Sequence, residues 1–120
     1  MQYTLQEESL SAERSLIHLA GRLTAANAGA VKKELLDIVA QGKKELIFDL
    51  SGVSFMDSSG LSVFVSLLRA TGERKGWIKL AALKELPAEV FRLTLLDRII
   101  DLYTDVESAL RTADSNTRTF

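Results

Sequence analysis

The apolar positions of this chain change period as it advances, and each change marks an expected element. Tyr3 and Leu5 alternate with polar neighbours, and Ser15-Leu-Ile-His-Leu-Ala20 is a second apolar stretch. Two strands joined as a hairpin follow, with Glu7-Glu8-Ser9 and Ser11-Ala-Glu-Arg14 near the connection. Gly21-Arg22-Leu23 then turns into a helix capped by Thr24, whose stripe of Val31, Leu35, Ile38 and Val39 recurs at i, i+4, i+7 and i+8. Gly42 ends that helix. Leu46 to Phe48, with Leu50 beyond, is a short apolar run between polar residues, which suits a central strand covered on both faces. A turn is expected at Ser51-Gly52, and after Val53 and Phe55-Met56 a second helix opens at Asp57-Ser58-Ser59-Gly60.

In that second helix Leu61, Phe64, Val65 and Leu68 form the stripe expected to face the sheet. Ser59, Val63, Ser66 and Ala70 fall on roughly the opposite side, with Leu67 near its edge. That side is small and apolar, which leaves two readings: a helix packed on both faces within its own domain, or an exposed docking face. Trp77-Ile-Lys-Leu-Ala81 reads as a strand with Trp77 as a packing anchor. Leu86 to Leu96 reads as a helix with Pro87 early and Val90, Phe91, Leu93 and Thr94 behind it. Asp97-Arg98 connects to an edge strand at Ile99 to Tyr103, and Thr104-Asp-Val-Glu107 matches a capping box for a last short helix through Ala109 and Leu110. One α/β domain over residues 1–113 is expected, a mixed sheet flanked by about four helices and begun by a hairpin, with 114–120 as a mobile tail.

Composition narrows the class. A chain of 120 residues fits one domain, and 47% hydrophobic with 26% charged residues is an ordinary soluble balance. The net charge of -1 comes from well mixed acidic and basic residues, so nucleic acid is not an expected partner. Absence of Cys removes disulfides and thiolate metal sites and suits a reducing compartment. The N-terminus has no signal core, and no apolar run approaches the roughly 20 residues of a membrane span. A cytoplasmic protein without direct membrane insertion is expected.

Little in the chain suggests catalysis. Ser58 and Ser59 lack a Gly-x-Ser-x-Gly elbow, and the single histidine, His18, has no acidic or nucleophilic neighbour identifiable in sequence. Asp49 and Asp57 bracket the end of the central strand, with Glu7 and Glu8 the nearest further carboxylates, but no convincing magnesium set emerges. Phosphate-cradling and dinucleotide fingerprints are missing, so neither a metal nor a cofactor is expected. Asp57-Ser58-Ser59-Gly60 itself has two readings. It is a helix cap with a glycine that relaxes the turn, or a serine placed where backbone donors and the dipole favour an attached phosphate.

The run Asp49-Leu-Ser-Gly-Val-Ser-Phe-Met-Asp-Ser-Ser-Gly-Leu61 resembles the signature of the STAS domain family, most of all its bacterial anti-sigma factor antagonists. The order of elements extends the likeness to roughly residues 3–112. The resemblance implies a STAS-like fold and a protein-binding switch instead of an enzyme. Ser58 would be the phosphoacceptor of an anti-sigma factor that is also a serine kinase. Asp57, Ser58, Ser59, Gly60, Ser62, Val63, Ser66 and Leu67 would form the partner-binding surface. Unmodified protein would bind the anti-sigma factor and free a sigma factor, phosphorylation would block binding, and a phosphoserine phosphatase would reset the switch. The alternative use of the same fold is a scaffold subunit of a transport system or stress-sensing complex. Family members commonly carry an acidic residue where Thr24 stands; Thr also caps helices. The oligomeric state stays open, because an apolar helix face also suits an isologous dimer contact.

Overall fold

The computed structural model describes residues 2–112. The expected tail at 114–120 lies outside them. Five strands form one sheet in the order β1-β2-β3-β4-β5. Strand β1 (Tyr3–Ser9) runs antiparallel to β2 (Arg14–Leu23), while β3 (Glu45–Met56), β4 (Trp77–Ala81) and β5 (Asp101–Tyr103) continue parallel to β2. Helices α1 (Ala28–Ala40), α2 (Ser58–Glu73), α3 (Glu85–Leu93) and α4 (Val106–Arg111) follow β2, β3, β4 and β5 in turn. The expected mixed sheet, opening hairpin and four helices are therefore present.

Alternation along β3 decides the layering. Leu46, Phe48 and Leu50 point into the larger core with the stripes of α1 and α2 and with Phe91 of α3, whereas Ile47 joins Leu16, Trp77, Ala81 and Ala109 under α4. Phe64 sits between Phe48 and Phe91 in edge-to-face contacts with centroids 5.3 and 6.0 Å apart, so one aromatic column ties β3, α2 and α3 together. On the α4 side the buried ammonium of Lys79 donates to the carbonyls of Ala109 and Thr112 at 3.3 and 3.1 Å, which anchors the end of that helix.

Several local expectations are corrected, each by pairing that no short window contains. Glu7-Glu8-Ser9 is strand and not connection, because it pairs with Ser15 to Ile17. Strand β2 carries on through Gly21-Arg22 to Leu23, held by its pairing with β3 as far as Met56. Thr24 consequently sits in a turn, with its hydroxyl accepting from the Ala26 amide at 3.2 Å, and α1 starts later, after Asn27. Ser51-Gly52 is not a turn either. It lies in β3 where the register with β2 shifts, and a Cβ on Gly52 would come within 2.6 Å of Ala20 Cβ. Helix α3 stops at Leu93, which is 75% exposed and thus no part of the buried stripe. The last helix is capped by Asp105, whose carboxylate accepts from the Ser108 amide at 2.7 Å, so Thr104 lies before the cap.

Candidate functional site

The site is assembled where β3 ends and α2 begins. Met56 is buried, and the Asp57 amide donates to the Leu23 carbonyl at 3.1 Å, so the chain is held against the end of β2 as it leaves the sheet. Asp57 has extended backbone and is the N-cap of α2: its Oδ1 accepts from the amides of Ser59 at 2.8 Å and Gly60 at 3.0 Å. Its Oδ2 accepts from the amide of Ala25 at 3.2 Å, in the turn between β2 and α1. These amides, Gly60 foremost, favour the ionised form and hold the Asp57 carboxyl below the usual carboxylate value.

Beyond the cap, three residues divide three tasks. Ser58 is the first helical residue and is exposed, with its hydroxyl at the positive end of α2. Ser59 is half-buried, and its carbonyl accepts from the Ser62 hydroxyl at 2.8 Å. Gly60 is buried because the helix start lies directly on β2. A Cβ there would meet the Leu23 carbonyl oxygen at 2.6 Å and Met56 Cγ at 2.8 Å.

The exposed face of α2 differs from the expected one. Val63 is 1% exposed and Leu67 0%, so both are core residues and, like Gly60, present no side chain to a partner. The reason is that α2 packs on α1 along its flank as well as on the sheet. Its buried residues are therefore Gly60-Leu61, Val63-Phe64, Leu67 and Thr71: Leu61 and Phe64 of the expected stripe are buried, and the rest of the buried face is turned from Val65 and Leu68 to Val63 and Leu67. Val65 and Leu68 are only half-buried. Of the expected contact residues, Ser58 and Ser62 are exposed and Ser59 and Ser66 half-buried; the outer face they share also carries Val65, which the sequence pattern assigned to the sheet-facing stripe, and Arg69, which it did not single out.

The other candidate groups are engaged elsewhere. His18 does have acidic neighbours: its Nδ1 is 3.0 Å from Asp49 of β3 and its Nε2 is 3.4 Å from Glu8 of β1. Cross-strand register alone brings these together, which is why the chain order concealed them. Asp49 also accepts from the Ser51 amide at 3.1 Å. Burial pushes the Asp49 carboxyl up, but the bonds from Ser51 and His18 outweigh it and leave the group below its usual value. Glu7 accepts from the Ser15 hydroxyl at 2.6 Å, Asp57 caps α2, and Asp49 and Glu8 flank opposite nitrogens of His18, so the four carboxylates considered as a metal set do not converge on one point. Among the described residues no helix is long and apolar enough to cross a membrane.

This arrangement has close parallels. The STAS domain family matches residues 7–109. The anti-sigma-B factor antagonist of Bacillus subtilis is 32% identical over 79% of this chain and 86% of its own length. That of Listeria monocytogenes is 35% identical over 72% of this chain and 75% of its own. A crystal structure of an anti-sigma factor antagonist from Mycobacterium paratuberculosis superposes with a TM-score of 0.82 at 26% identity, covering 91% of this chain and 92% of that one. With the sheet order, the aspartate-capped serine pair and these matches in agreement, the chain belongs to the STAS domain family.

Proposed function

We propose that the protein is a cytoplasmic anti-sigma factor antagonist, a binding protein without catalysis of its own, switched by phosphorylation of Ser58. One observation carries this reading: Asp57 takes over the capping of α2, which leaves the Ser58 hydroxyl exposed at the helix start. The names of the relatives support it over a transport or stress-complex subunit. In the unmodified state Ser58, Ser62 and Ser66 present a small uncharged surface to an anti-sigma factor, whose release of a sigma factor follows. That partner is also the serine kinase, and a phosphoserine phosphatase restores the free form.

Phosphorylation adds about −1.5 to −2 charges and three strong acceptors at the centre of that contact. Desolvating them without basic partners costs several kcal/mol, and a hundredfold loss of affinity needs only about 2.7 kcal/mol. Within the protein itself the phosphate is tolerated, since a helix N-terminus favours an anion by about 0.3–1 kcal/mol. The test uses wild-type, Ser58→Ala and Ser58→Asp proteins as bait in lysate of the source organism. Wild type and Ser58→Ala are expected to retain a protein with serine kinase activity towards Ser58, and Ser58→Asp to lose it. Equal retention by all three would end the phosphoswitch.

A further inference from the structure

The two oxygens of Asp57 have separate duties. Oδ1 alone supplies the cap, through the amides of Ser59 and Gly60. Oδ2 is spare as far as the helix is concerned, yet it accepts from Ala25 at 3.2 Å, in a segment 32 residues away in the chain. Ala25 and Ala26 are the exposed tip of the turn between β2 and α1. The inner side of the same turn is fixed by Asn27, which is 4% exposed: its Oδ1 accepts from the Thr24 amide at 3.1 Å and its Nδ2 donates to the Arg22 carbonyl at 2.8 Å. A turn pinned on both sides has one shape. Its tip and the first turn of α1 expose Ala25, Ala26, Gly29 and Ala30, all small and uncharged, on the segment that Asp57 ties to the residue before Ser58.

We propose that Asp57 is a positioning residue for partner recognition. Its second oxygen locks the Ala25-Ala26 tip to the start of α2, so that a partner meets the tip and Ser58 as one rigid surface. A helix cap does not by itself call for this, because serine caps about as well as aspartate with a single oxygen. Preorganising the tip removes the cost of ordering it on binding, which is where a rigid loop gains affinity. The inference rests on Ser58 being the residue that a partner kinase recognises and phosphorylates.

Asp57→Ser and Asp57→Asn separate the two duties. Both keep an acceptor for the cap; serine has no second oxygen, and asparagine turns an N–H towards the Ala25 N–H. Amide hydrogen exchange of the free protein, read by NMR, is expected to be about tenfold faster or more at Ala25 in both variants, with Ser59 and Gly60 within about twofold of wild type. Phosphorylation is then followed with the serine kinase recovered on the wild-type protein. KM is expected to rise about fivefold or more with kcat within about twofold, the pattern of lost docking and intact chemistry. Unchanged exchange at Ala25 in both variants overturns the proposal, and so does faster exchange with an unchanged KM. Failure of the kinase on Ser58 of the wild-type protein overturns the switch itself, and the positioning role with it. That failure is read on the wild-type protein before any variant is compared and is thereby distinct from the others.

Discussion

At Gly60 the constraint is space. A methyl group there would press on the Leu23 carbonyl at 2.6 Å, on Leu23 Cβ and on Met56 Cγ, both at 2.8 Å, and the carbonyl belongs to the strand on which α2 rests. Gly60→Ala is expected to cost about 1–3 kcal/mol, the usual penalty of overpacking. Gly72, in the last turn of the same helix, has nothing within 4 Å of an added Cβ. Gly72→Ala is expected to stabilise by about 0.5–1 kcal/mol through the unfolded chain. Thermal denaturation compares the two: a midpoint that falls by several degrees for Gly60→Ala and rises for Gly72→Ala fits, and equal shifts would refute the spatial argument. Three aspartates at this scale set the acid response. Asp49, Asp57 and Asp105 all titrate below their ordinary 3.8 in the folded protein. A depressed carboxylate contributes stability that is complete above its unfolded value and is lost as pH falls through its folded one. Urea midpoints are therefore expected to lose nothing to these groups from pH 7 down to about 5 and to decline steadily below about pH 4. A decline completed above pH 5 would contradict their assignment.

Helices were legible as elements, and their faces only in part. The stripe of α1 falls on Val31, Leu35, Ile38 and Val39 as the periodicity implied, because α1 has one dominant buried face. Helix α2 is turned relative to its apparent stripe, since a periodicity argument supposes one partner and α2 has two, the sheet and α1. Helix α3 is apolar on both sides: Pro87 and Phe91 are buried, while Leu86 and Leu93 are 65% and 75% exposed. Sequence alone ranks these side chains together; burial separates them. Phe91→Ala is expected to destabilise by about 3–5 kcal/mol, as removal of an aromatic column member at 0% exposure should. Leu93→Ser is expected to stay within about 0.5 kcal/mol of wild type. Chemical denaturation decides, and similar losses in the two variants would mean that α3 is packed otherwise.

For the molecule as a whole, the alternation of strand and helix was enough to fix the architecture, because short crossover units leave few topologies to choose from. What stayed hidden was everything set by register: the length of β2, the bulged middle of β3, and the acidic flanks of His18. The serine motif was legible as a helix start, whereas the division of labour within it needed the contacts of Asp57 and Gly60. This separation of surface from scaffold makes the last prediction. Val63 and Ser66 are neighbours on α2 and were grouped as one docking face, yet Val63 is 1% exposed and Ser66 half-buried at the surface. A carboxylate at 63 would lie in the core with no partner, so Val63→Asp is expected to be unfolded or to lose several kcal/mol. Ser66→Asp is expected to keep its thermal midpoint within about 5 °C of wild type and still bind the anti-sigma factor about tenfold more weakly, by adding charge to the same surface that Ser58 occupies. Circular dichroism melts and titration of the captured partner read both quantities. A Ser66→Asp protein that folds and binds as wild type would remove the outer face of α2 from the interface and leave Ser58 and the Ala25-Ala26 tip to carry it.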